Sequence, residues 1–258
     1  MAIQLRSAAE LEKMYRAGQV VHEVLNALRA QLQPGMTTMD LEKSAEEIIA
    51  KGPGRPAFKG YRGYPCVLCT SVNSEIVHGI PSPKRKLREG DIVSLDFGME
   101  VDGYYGDSAV TVPVGKISPE LQKLLEVTRE SLDRAIDKMR PGNRLGDVGH
   151  AVQSWVEQHG YSVVREFVGH GIGTKMQRAE PAELRRAGTR RAFAGRHGDR
   201  RRTDGERRPS GSGDARRVGG GNGRWQSFGA FRAHRGGHRE RPVDSDAAER
   251  DDRAGVGE

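Results

Sequence analysis

The sequence predicts an α+β protein made of two related halves, the second of them incomplete. Three observations predict it. Apolar residues recur at helical spacing on both sides of a β-rich centre. A helix–Pro-Gly–helix unit occurs twice, 107 residues apart. Composition then changes abruptly near Met176, beyond which little can pack.

The first helix is read from Leu11, Met14, Val20, Val21, Val24, Leu25, Leu28 and Leu32, and it ends at Pro34-Gly35. A second runs from Thr37 or Thr38 to Ala50 through Leu41, Ala45, Ile48 and Ile49, stopped by Gly52-Pro53-Gly54. Strands are expected over Pro65–Asn73, Ile92–Phe97 and Tyr104–Val112, the last two joined by a turn at Asp102-Gly103. Helical spacing returns over Ser118–Met139, where Pro119 suits a first turn, and again over Leu145–His159. A strand over Ser162–Val168 follows. The string QPGMTTMDLEKSAEEIIAKG at residue 33 corresponds to RPGNRLGDVGHAVQSWVEQH at residue 140. Pro34, Gly35, Asp40, Leu41, Ala45 and Ile49 fall on Pro141, Gly142, Asp147, Val148, Val152 and Val156. Repetition before each β segment implies two α+β halves around a shared sheet, with a site where they meet. The second half lacks the β hairpin of the first.

The 258 residues carry a formal charge of +7, but the excess is not spread evenly. Residues 1–176 hold 22 basic and 22 acidic side chains, whereas residues 177–258 hold 20 Arg, no Lys and 13 acids. The second stretch also has 15 Gly and a single Leu, Leu184, too little apolar matter to offset the entropy of ordering. It divides the chain into an ordered part, 1–176, and an Arg/Gly-rich tail, 177–258, expected to be irregular. Two cysteines exclude a disulfide scaffold. No stretch approaches a membrane span, and the N-terminus has no signal-peptide core, so a soluble cytoplasmic protein is expected.

Asp96 and Asp107 lie within apolar strand sequence, where a bare carboxylate is expensive to bury. For a two-residue hairpin loop Asp107 pairs with an even-numbered residue, so both carboxylates share one face. Like charges on one face need neutralising, by a multivalent cation or by a shared proton. His170 stands among Gly169, Gly171 and Gly173, and His78 also precedes a glycine; each fits a site or a structural loop. Cys66 and Cys69 form a CxxC without a second pair, and three-residue spacing in a strand points them to opposite faces, which excludes a shared metal. The basic run Lys84–Arg88 reads as a solvated loop.

Together, YRGYPCVLCTSVNSEIVHGIP, DIVSLDFGMEVDGYYGDSAVT and FVGHGIGTKM resemble the type I methionine aminopeptidases, of the pita-bread (creatinase/aminopeptidase) fold, in order and spacing over residues 1–176. The resemblance implies a pseudo-twofold α+β fold. It implies Asp96 and Asp107 as carboxylate ligands and His170 as the imidazole ligand of two divalent ions (Co, Mn, Fe, Zn or Ni). His78 would hydrogen-bond the scissile peptide, and Tyr61, Tyr64 and Cys69 would line the methionine pocket. The implied activity is removal of the initiator methionine from nascent polypeptides, by a monomer near the ribosome, with no membrane partner. Two alternatives stand beside it: a non-catalytic protein binding ribosome or RNA through its basic tail, and a prolidase-like hydrolase.

After GTKM the chain departs from the family. Gln177 stands in place of a second histidine, and two glutamate-bearing motifs are missing. The genetic code accounts for this. Residues 196–208, RHGDRRRTDGERR, can be encoded so that the next frame reads GMVIAVEPMVNAG. The same shift applied to Trp225–Asp244 can read GSLSAHFEHTVAVTENGPW. The absent glutamates lie across the Arg202/Thr203 and Arg232/Ala233 codons, so a frameshift at Met176–Arg178 is expected, with a poorly closed and essentially inactive product.

Overall fold

The computed structural model describes residues 6–165, 167, 169–177 and 231–233. The first half opens with α1 (Ala8–Gln31), whose capping box is closed by Ser7 and Glu10, and α2 (Thr38–Ile49), capped by Thr37 and Asp40. A four-stranded antiparallel sheet follows: β1 (Arg55–Pro56), β2 (Leu68–Val72), β3 (Ile92–Val101) and β4 (Tyr104–Pro113). β3 pairs with β1, β2 and β4. The β3–β4 hairpin turns at Asp102 (φ 52°) and Gly103 (φ 78°), left-handed at both positions as a type I′ turn requires.

Residue parity divides the sheet into two faces. Leu68, Val72, Val93, Leu95, Phe97, Met99 and Val112 form the core with Ala17, Val21, Val24, Leu25 and Leu28 of α1 and Leu41 and Ala45 of α2. α1 crosses so close to β4 that a Cβ on Gly106 would lie 2.6 Å from the Ala17 carbonyl oxygen. The opposite face carries Cys69, Ser71, Ser94, Asp96, Gly98, Asp107, Ala109 and Thr111 in register, a polar and small-residue surface.

The second half begins with α3 (Pro119–Lys138), with Ser118 as N-cap, and α4 (Leu145–Gln158). The 107-residue repeat holds to the residue: α1 and α3 end at 31 and 138, and α2 and α4 begin at 38 and 145. β5 (Tyr161–Val163) then pairs antiparallel with β6 (Phe231–Ala233). β5 is shorter than the expected Ser162–Val168, because the chain leaves extended pairing after Val163. β6 departs from the expectation of an irregular tail; residues 178–230 and 234–258 lie outside the described residues. No helix among the described residues is long and apolar enough to cross a membrane.

The basic run Lys84–Arg88 is solvated only in part. Leu87 is buried, its N–H donates to Met36 O (2.7 Å), and Gly35 N–H donates to Leu87 O (2.8 Å), which fastens this loop to the α1–α2 connection.

Candidate functional site

The polar face of the first sheet is where the candidate residues collect. Gly98 is the cross-strand partner of Asp107 and Ala109 that of Asp96, so the two carboxylates are diagonal neighbours on one face, as the hairpin parity requires. Asp96 is buried. The Asp107 side chain is fully enclosed (0% exposed) and that of His170 nearly so (12%). His170 Nε2 lies 3.5 Å from Asp107 Oδ2, beyond strong hydrogen-bond range. Two buried carboxylates and an imidazole on one face form a donor set suited to a divalent cation. No group of three or more His, Cys, Asp or Glu side chains among the described residues closes to metal-binding geometry.

His170 belongs to no strand; residues 169–177 reach it across from the second half. That segment is held by the first half. Tyr105 N–H donates to Gly173 O (2.8 Å), Tyr61 Oη–H donates to Gln177 Oε1 (3.2 Å), and Met176 is buried against Ala57, Phe58 and Cys69. Tyr61, Tyr64 and Tyr105 pack around this cluster. Gln177, standing in place of the expected histidine, is thus tied to a residue expected to line the pocket.

The structure gathers Tyr61, Tyr64 and Cys69 into one apolar cluster. Cys69 is the cross-strand partner of Asp96, which sets the cluster beside the carboxylates. The Tyr64 hydroxyl is shared between the carbonyls of Leu68 (2.9 Å) and Gly79 (3.1 Å). Burial, followed by its contact with Cys69, holds the Tyr64 phenol far above the usual tyrosine range, so it stays a neutral donor. Four further members, Ala57, Phe58, Tyr105 and Met176, were not legible as neighbours of Cys69. The one signal lay in Gly98, where a Cβ would come within 2.6 Å of Phe58 Cε1.

His78 stands apart from the buried trio. It is exposed, adopts φ 61°, and meets Phe167 edge-on at 6.3 Å between ring centroids. A left-handed histidine is uncommon and costs about 1 kcal/mol or more. It is held there because Gly79 docks on β2: Thr70 N–H donates to Gly79 O (2.8 Å), and a Cβ on Gly79 would collide with Thr70 O. Phe167, itself 51% exposed, shares the segment leading to His170, so His78 sits at the rim.

The cysteines have different neighbours, though not by strand alternation, since Cys66 precedes β2 and Cys69 lies within it. Both are thiols, not joined in a disulfide. Cys66 lies beside Glu42, and burial, then that carboxylate, pushes its thiol pKa up. Glu42 itself is buried and accepts the N–H groups of Val67 (2.7 Å) and Leu68 (2.9 Å), fixing the entry to β2; burial raises its pKa.

Comparison with known proteins bears on this arrangement. Residues 12–199 match the pattern of metallopeptidase family M24. The chain is 49% identical over 174 residues to methionine aminopeptidase of Clostridium acetobutylicum, covering 67% of this chain and 70% of that one. It is 46% identical over 182 residues to the Aquifex aeolicus methionine aminopeptidase (68% and 70%). Among solved structures, it resembles methionine aminopeptidase from Thermotoga maritima at a TM-score of 0.68 and 44% identity, over 69% of this chain and 72% of that one. Prolidase from Pyrococcus furiosus shares the fold at a TM-score of 0.59 and 20% identity, over 67% and 50%. The higher identity lies with the aminopeptidases, and the prolidase-like alternative is not favoured.

Proposed function

This chain belongs to metallopeptidase family M24, and we propose that it is built to remove the initiator methionine from nascent polypeptides, with a metal centre that this exact sequence completes only in part. The observation that carries the reading is one surface: buried Asp96 and Asp107 with His170, continuous with a pocket of Cys69, Tyr61 and Tyr64. Identity of 46–49% to methionine aminopeptidases supports it.

Asp96, Asp107 and His170 would hold two divalent ions, which when bound acidify a water and polarise the scissile carbonyl. The pocket selects its substrate by shape: an unbranched thioether fits between aromatic faces and the Cys69 thiol. Tyr64, kept protonated by burial, braces that wall by donating to backbone carbonyls. His78, at the rim, is set to hydrogen-bond the peptide group that follows the methionine. The site so described suits a monomeric cytoplasmic enzyme meeting chains as they leave the ribosome. Gln177 deprives the site of an imidazole, the shifted frame beyond it deprives the site of two carboxylates, and loss of ligands lowers both metal affinity and water activation.

The test compares the chain as it stands with one whose reading frame is restored after Met176, both assayed on a Met-Gly-type peptide with added Mn²⁺ or Co²⁺. The restored chain should turn over about 10²-fold faster or more. Equal rates would overturn the incomplete-centre reading. An inactive restored chain that folds would overturn the aminopeptidase assignment.

A further inference from the structure

The metal-centre reading makes the position of His170 decisive, yet His170 lies outside the strands among the described residues. β5 ends at Val163, and residues 169–177 carry no helix or strand, only a single β-bridge position at Gly171. Beside the Tyr61–Gln177 hydrogen bond and the burial of Met176, the start of α1 and the start of β4 hold them. The Arg6 side chain, 11% exposed, forms an ion pair with Glu10 at 2.7 Å. Glu10 accepts from Tyr104 Oη–H at 3.1 Å, and the Arg6 guanidinium carbon lies 5.8 Å from the Tyr104 ring centroid. The outer face of the guanidinium rests on Gly173, so near that a Cβ there would collide with an Arg6 terminal nitrogen. On the neighbouring residue of β4, Tyr105 N–H donates to Gly173 O.

We propose that Arg6 is a positioning residue for His170, acting as a clamp that presses Gly173 onto the start of β4. The inference rests on the reading of His170 as a metal ligand only for its functional consequence. Tyr105 and Asp107 are two residues apart on one strand and share a face. A segment pinned at Tyr105 is therefore placed in register with Asp107, and only Gly171 and Ile172 separate the pinned Gly173 from His170. Arginine suits the task because its forked head can bring one terminal nitrogen against a bare backbone while another pairs with a carboxylate. Gly173 suits it because any side chain would lift the guanidinium away.

Two variants of the full chain approach the clamp from opposite sides: Arg6→Ala removes the head, and Gly173→Ala displaces it without touching α1. Backbone hydrogen exchange and titration with Co²⁺ followed by visible absorption give independent readouts. Both variants should speed exchange at residues 169–177 about 10-fold, leave β3 and β4 protected, and weaken Co²⁺ binding about 10-fold. Unchanged exchange at 169–177 in both variants would overturn the clamp. Faster exchange confined to α1 would also overturn it, since Arg6 would then serve only its own helix. If neither the parent chain nor the chain with its frame restored after Met176 binds Co²⁺, the metal-centre reading fails, while the exchange data still decide the clamp.

Discussion

The connection before α2 and the connection before α4 are one structure built twice. Gly35 adopts φ 95° and Gly142 φ 94°. The Thr37 N–H donates to Asp40 at 2.7 Å, and the Arg144 N–H donates to Asp147 at 2.7 Å. Local geometry thus repeats wherever the local residues repeat. Packing does not. Val21 and Leu25 are buried under the four-stranded sheet, whereas their counterparts Thr128 and Leu132 are only half-buried. The first half has one continuous core; the described part of the second has small clusters, Val127 with Val156 and Ala135 with Val148 and Val152. A helix acquires its burial from the sheet it covers, and β5 with β6 offers three paired residues in place of a ten-residue hairpin.

Paired substitutions put that contrast at risk. Leu28→Ala opens a cavity in the continuous core and should cost about 2–5 kcal/mol in a denaturant titration. Leu132→Ala, at a half-buried site, should cost about 1 kcal/mol or less. Equal losses would mean that the second half is as well packed as the first.

Glu42 and its repeat counterpart Gly149 carry the contrast to single positions. Glu42→Ala strands two buried N–H donors at the entry to β2 and should cost about 2–4 kcal/mol. Gly149 lies inside α4, and a Cβ added there would meet nothing within 4 Å, so Gly149→Ala should stabilise α4 by about 0.5–1 kcal/mol. A destabilising Gly149→Ala would reveal a close neighbour that the first half's Glu42 has no need of.

The smallest effect concerns acid. Glu10 has its pKa lowered to about 2, chiefly by the Ser7 backbone N–H and then by Arg6. A depressed carboxylate pKa gives stability that is complete above the ordinary value of 4.5 and is lost as pH falls through about 2. Glu10→Gln should flatten the acid limb across that window by lowering stability at neutral pH, and leave stability below about pH 2 unchanged. An unaltered acid limb would remove Glu10 from the clamp's electrostatics.

Much of this molecule was legible in the chain because its signals are short-range. Thr37 with Asp40, Pro119 after Ser118 and Asp102-Gly103 each act within one turn of backbone, and each bounds the element expected of it. The shared face of Asp96 and Asp107 was also legible, since strand parity and a two-residue turn fix it by counting. Phe58, Tyr105 and Met176 were not legible as neighbours of Cys69, because nothing local links residues so distant along the chain. Arg6 was no more visible: its partner Gly173 lies at the far end of the described fold.

Residue order alone was enough for the four helices, the hairpin, the 107-residue repeat, the family and the abrupt end of core-forming composition, all set by local periodicity and residue type. It took the packed molecule to reveal that the His170 segment is borrowed by the first half, with Gly173 trapped between Arg6 and the N–H of Tyr105. Such docking depends on the closure of a long loop and on the burial of a charged head, which no pattern of neighbouring residues encodes.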